Sequence, residues 1–146
     1  MKAWTIAVLT LALGCGSALA QNTDVIKQRQ ALMKENGRMT KPLGPMLKGT
    51  APFDLATVQT ALKDYVNSAA KMPALFPPDS KTGEDTGALP AIWENQADFD
   101  ARFKKFGEDA TAALASITDE ASFKATMPGV WKNCGACHEK YRAKAQ

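Results

Sequence analysis

Five consecutive residues near the end of the chain, Cys134-Gly135-Ala136-Cys137-His138, constrain it more than any other feature. Two thiols and an imidazole in so short a stretch must serve one centre or none. If the stretch is helical, at about 100° per residue the cysteines lie about 60° apart on the cylinder, and the histidine lies about 40° from Cys134. All three then share one face. C-x-x-C-H in this arrangement points to covalent attachment of a c-type haem, with one sulfur for each vinyl group along a porphyrin edge and the imidazole reaching the iron from below.

Other uses of the pattern fit less well. A zinc site takes four ligands, usually Cys or His, and the chain has one His and only two Cys near it. A thioredoxin-like C-x-x-C sits beside a βαβ pattern, and no strand-rich pattern surrounds this one. A disulfide alone leaves the adjoining histidine unexplained. A redox dithiol protein stays as a reading from another class. It would carry no haem colour and no covalent haem after acid extraction.

With 146 residues the chain has room for one domain and a modest core. The net charge of +3 is close to balanced and speaks against a nucleic-acid partner, which wants a concentrated basic patch. The first twenty residues read as a cleaved export signal: Lys2 at the start, an apolar stretch from Ile6 to Leu13, and Ala18-Leu19-Ala20 before Gln21. The apolar run is too short for a transmembrane anchor. Lipoprotein cleavage before Cys15 is poorly served by Ala12-Leu13. The expectation is therefore a periplasmic protein, 21–146, with no membrane span, both of whose remaining cysteines belong to haem.

Hydrophobic spacing predicts an all-α chain. Val25, Arg29, Leu32, Met33 and Asn36 share a face of a first helix from Asp24 to about Lys41, capped by Thr23 or Asp24 and broken by Pro42 and Pro45. Asp54 caps a second helix with its stripe at Leu55, Val58, Ala61, Leu62, Tyr65, Val66 and Ala69. Pro73 to Pro90 reads as a loop of roughly eighteen residues with little to bury, and so as the most mobile part of the mature chain. Trp93, just after it, reads as a core plug. A third helix from Asn95 or Gln96 carries Phe99, Phe103, Phe106, Ala110 and Ala113 as a packing stripe. Thr118 or Asp119 caps the last helix, which Pro128-Gly129 should kink or split. Four helices, joined by short links apart from the loop, make an antiparallel four-helix bundle with covalently bound haem.

These residues also carry a family resemblance. The motif lies at the C-terminus. Arg29 to Lys34 and Asn36 to Met39 resemble a first-helix signature, Pro90-Ala91-Ile92-Trp93 resembles a Pro-x-Ile-Trp third-helix start, and Cys137 to Arg142 resembles a haem-helix ending. From about Asp24 to Lys144 the chain is similar to the class II cytochromes c, the cytochrome c′ group. The resemblance implies one haem c, anchored by Cys134 and Cys137, with His138 as proximal iron ligand. It places Met33 at the distal position facing the iron, Arg29 and Gln30 as haem contacts near the propionates, and Arg142 beside the proximal histidine.

The family contains two kinds of iron site. A Met/His iron is six-coordinate and suits single-electron transfer between redox protein partners. An open distal face leaves iron five-coordinate and able to bind nitric oxide or carbon monoxide. The Leu32–Arg38 run resembles the low-spin, methionine-ligated branch, and Arg29 resembles the high-spin one. Electron transfer with Met33 as second axial ligand is the leading expectation, gas binding the alternative. No acid–base pair or nucleophile stands out, so no enzyme is expected. The family often dimerises through its first two helices, and the apolar surface here fits a homodimer or a monomer.

Overall fold

A computed structural model of the chain describes residues 22–144; the leader expected at 1–20 lies outside them. Asn22, one residue earlier than expected, caps α1 (Thr23–Thr40), its side chain accepting from the Val25 N–H at 3.4 Å. After Pro42 a short α2 (Leu43–Lys48) buries Leu43 and Met46. It stops at Gly49, whose φ of +72° is the left-handed conformation that a residue without Cβ adopts freely. The Asp54 carboxylate accepts from the Ala56 and Thr57 N–H groups, both at 3.2 Å, and starts α3 (Leu55–Lys71). The four-residue α4 (Ala91–Glu94) leads into α5 (Gln96–Ser116). Asp119 and Ser122 cap each other's backbone at the start of α6 (Glu120–Tyr141).

The expected stripes are the buried faces. On α3 these are Val58, Ala61, Leu62, Tyr65, Ser68 and Ala69, and on α5 Phe99, Phe103, Phe106, Ala110 and Ala113. Residues three and four apart stack on one side of a helix, so a stripe at this spacing can only be satisfied against neighbouring helices. The bundle is antiparallel, with α3 against α5, α5 against α6 and α1 against α3. The long faces of α1 and α6 do not close on each other to the same extent.

Two features depart from the sequence expectation. Pro128 does not split α6, which runs unbroken for 22 residues. Pro128 and Lys124 are both exposed, so the Lys124 carbonyl left without its N–H partner is where water can reach it. The segment 73–90 is docked rather than loose. Met72 and Ser80 are fully buried and Phe76 nearly so, with short 3₁₀ turns at Met72–Leu75 and Pro78–Ser80. It is tied to the end of α6 by Leu89 N–H to Tyr141 O at 3.0 Å and Ala143 N–H to Gly87 O at 2.8 Å. Trp93 anchors it from below, its Nε1–H donating to the Phe76 and Pro77 carbonyls at 2.9 and 3.1 Å. The indole is half-buried, a strap anchor more than a core plug.

Candidate haem site

Two adjoining cavities, of about 190 and 500 Å³, lie where α1 and α6 stand apart. Met33 from α1, Phe103 from α5, and Cys137, His138 and Arg142 from the end of α6 line both. Arg29, Gln30, Phe76, Thr86, Ile92 and Phe99 are among the other residues lining the smaller one, and Asn36, Thr40, Phe106, Trp131 and Cys134 among those lining the larger. The walls are mainly apolar. A wider groove of about 770 Å³ runs outside, between α5 and α6, but it is lined by Lys105, Asp109, Lys132 and small residues and holds no thiol or imidazole.

Helix geometry brings Cys134, Cys137 and His138 to one face, as their spacing requires. Both cysteines are free and half-buried. Burial pushes both thiols above their ordinary pKa. Burial first, and then the nearby Arg142 cation, pull His138 below the ordinary histidine value. The neutral imidazole, the form with a lone pair for a metal, is therefore favoured. Among the described residues no group of three or more His, Cys, Asp and Glu could hold a metal ion by itself.

A clamp not expected from the sequence fixes this end of α6. Asp98 accepts from Arg102 Nε at 2.8 Å, from the Tyr141 hydroxyl at 2.5 Å and from Lys140 Nζ at 3.0 Å. The Arg102, Tyr141 and Lys140 hydrogen bonds hold its carboxyl far below the usual range. Arg102 also reaches from α5 to the Ala136 carbonyl, between the two cysteines, at 3.2 Å. Asp98 and Arg102 are visible in the sequence as an i,i+4 pair. Their reach to α6 depends on helix register, which no local pattern encodes.

On the other wall, Arg29 is 3 % exposed, and its guanidinium donates to the Leu75 and Ser80 carbonyls and to the Ser80 and Thr86 hydroxyls. Gln30 lines the smaller cavity while donating to the Glu84 carbonyl at 2.6 Å. Met33 is half-buried and packs against the core.

A directed hydrogen-bond chain supports the larger cavity. Thr40 Oγ1 donates to the Asn36 carbonyl at 2.7 Å, so at 2.6 Å it accepts from the Tyr65 hydroxyl, which accepts from Trp131 Nε1–H at 3.4 Å. Beside it Asn36 Nδ2 donates to Ser68 Oγ at 2.9 Å, while its buried Oδ1 has no partner. A slot with apolar walls, two thiols and an imidazole on one face, and an unsatisfied polar atom at its edge fits a flat, apolar group with polar substituents.

A helical bundle whose last helix presents C-x-x-C-H to such a slot defines the class: a bundle-type c-type cytochrome. The model of the family described as "Cytochrome C'" matches residues 24–142. The chain belongs to the cytochrome c′ family, whose members carry covalent haem c with its iron. It is 55 % identical to cytochrome c′ of Rhodopseudomonas palustris strain CGA009, over 96 % of this chain and 94 % of that one. It is 38 % identical to cytochrome c-556 of Agrobacterium fabrum strain C58, over 99 % and 97 %. Its fold matches a solved structure of cytochrome c′ from Rhodopseudomonas palustris at a TM-score of 0.83 and 54 % identity, covering 86 % of this chain and all of that one.

Proposed function

We propose that this monohaem cytochrome carries single electrons between redox partner proteins in the periplasm, to which residues 1–20 direct it before they are cleaved off. Cys134 and Cys137 would hold the haem as thioethers, and His138 and Met33 would be the two axial ligands of its iron. The observation that carries this reading is that Met33 and His138, from helices that stand apart, line the same two cavities. When bound, the haem supplies a one-electron couple, and a methionine/histidine pair raises its potential.

The chain's own part is to keep that couple rigid and dry. Phe99, Phe103 and Phe76 stack edge to face, with centroids 4.7 and 5.1 Å apart, and wall the slot against water. The Asp98 clamp ties the end of α6 that bears His138 to α5. Among the described residues no helix is long and apolar enough to cross a membrane, which fits a carrier that diffuses between partners.

The second reading, a five-coordinate iron that binds nitric oxide or carbon monoxide, draws on one observation: Met33 packs against the core. A methionine held there can cover the iron without bonding to it. Optical spectra of the oxidised and reduced protein decide between the two. Electron transfer with Met33 as ligand requires a low-spin wild type that becomes high-spin and opens to carbon monoxide in Met33→Ala, with a lowered potential, while Met39→Ala changes little. A wild type that is already high-spin and takes up carbon monoxide would replace the first reading with the second.

A further inference from the structure

Arg29 lines the smaller cavity, where the family resemblance expects a haem contact, and it also holds a segment of the chain itself. A guanidinium has five N–H groups. Four of them go to the segment between α3 and α4: Nη1 to Leu75 O at 3.0 Å and Ser80 Oγ at 2.8 Å, Nη2 to Ser80 O at 2.8 Å and Thr86 Oγ1 at 2.9 Å. Its planar face lies 4.5 Å from the centroid of the Phe76 ring and 5.8 Å from that of Trp93. No protein carboxylate among the described residues pairs with it. A buried cation is costly unless dipoles and ring faces replace water around it. Here residues 75–86 supply the four acceptors and the nearer ring face, and Trp93 the other ring. The same segment continues into Thr86, Gly87 and Ala88, which line the smaller cavity, and is held on its far side by Ala143 and Tyr141.

We propose that Arg29 is a positioning residue that staples residues 75–88 over one edge of the haem slot, so that it governs the iron through this strap and not by its charge alone. The proposal rests on the haem assignment made above. It explains why a polar, glycine-bearing segment is docked at all: α1 holds it through Arg29, with Gln30 at the Glu84 carbonyl, and the end of α6 holds its other margin. It also predicts a chemistry that charge alone does not. Lysine keeps the cation but has three donors on a tetrahedral nitrogen and no planar face, so it cannot bridge two carbonyls and two hydroxyls while stacking on Phe76.

The test uses the haem-loaded protein and four variants: Arg29→Lys, Arg29→Gln, Ser80→Ala/Thr86→Val, and Arg29→Gln combined with that pair. Amide hydrogen exchange is read at residues 81–88, and the midpoint potential is read by spectroelectrochemistry. Exchange in the strap should quicken by about a hundredfold in both Arg29 variants and by about tenfold in the Ser80/Thr86 pair, each lost charged hydrogen bond lowering the local opening free energy. The potential should fall in all of them as water reaches the slot edge. The combined variant should exceed Arg29→Gln only by the two bonds inside the strap that the pair also removes, Ser80 Oγ to the Pro77 carbonyl and Ala88 N–H to Thr86 Oγ1, and so by less than the sum of the separate effects. Wild-type exchange and potential in Arg29→Lys would overturn the proposal in favour of a simple charge effect. So would unchanged strap exchange in Arg29→Gln. Should that variant fail to fold, the Ser80/Thr86 pair decides, since it leaves the cation in place: an unmoved strap and potential there count against the staple. Failure of the haem assignment itself would look different, as a wild type with no covalent haem and an intact strap.

Discussion

Replacing Tyr65 by Phe removes one oxygen from the middle of the chain that links α6, α3 and α1. Tyr65 is 1 % exposed, and its ring packs on Phe106 at 5.5 Å between centroids, a contact that phenylalanine keeps. Burial raises the Tyr65 pKa, so the hydroxyl stays protonated and donates. The main loss is therefore the 2.6 Å hydrogen bond to Thr40 Oγ1. Thr40 still donates to the Asn36 carbonyl, so no donor is orphaned there. The Trp131 contact at 3.4 Å is long and its indole is half-buried, so it adds little. The expected cost is about 1–2 kcal/mol, or roughly 3–6 °C in Tm for a domain of this size. Urea unfolding of the haem-loaded protein, followed by far-ultraviolet circular dichroism, measures it. In a cycle with Thr40→Val, the pair should be less damaging than the sum of the single changes by about 1 kcal/mol. Tyr65→Phe within about 0.3 kcal/mol of wild type, or strictly additive effects, would refute the directed chain.

Two further outcomes follow from the packing and the clamp. Hydrogen bonds hold the Asp98 carboxyl below its unfolded pKa, so its contribution to stability is complete above about pH 4 and is lost as the pH falls through the lower folded value. Asp98→Asn should thus be less stable than wild type at neutral pH, with the two stability curves converging in acid; a constant gap between pH 7 and pH 2 would contradict this. A Cβ at Gly107 would stand 3.2 Å from the Ala69 Cβ, part of a helix that cannot rotate away. Gly107→Ala should lose about 1 kcal/mol despite its better helix propensity, whereas Gly129→Ala, with open space around it, should gain up to about 1 kcal/mol. Thermal melts of the two variants on either side of wild type are the check.

The residues that were legible in the sequence are those whose role is set within one helix turn or one stripe. Asp54 and Asp119 cap because a carboxylate can reach backbone N–H groups two or three residues on. Phe99, Phe103 and Phe106 are buried because their spacing leaves them one side of α5. Cys134, Cys137 and His138 share a face for the same reason. What could not be read depends on contacts distant in sequence. The strap looked loose because its own residues are polar, and its order comes from Arg29, some fifty positions earlier. Pro128 reads as a kink or a split because its cost depends on whether the Lys124 carbonyl faces water, which local sequence does not specify. Arg102 carries no signal beyond an i,i+4 spacing with Asp98, yet its Nη1 holds a carbonyl between the two cysteines. The pattern has a physical basis: the slot is built where α1 and α6 fail to close. The residues that shape such a gap are chosen by what they hold across it, and local hydrophobic spacing carries no information about that. Met33 stands at the boundary between the two kinds. Its place on the inner face of α1 follows from its spacing with Arg29 and Asn36, but whether its sulfur bonds iron depends on how far apart α1 and α6 are held, which is set by the strap and the clamp together. Loosening either should therefore weaken a Met33–iron bond before it disturbs the thioethers.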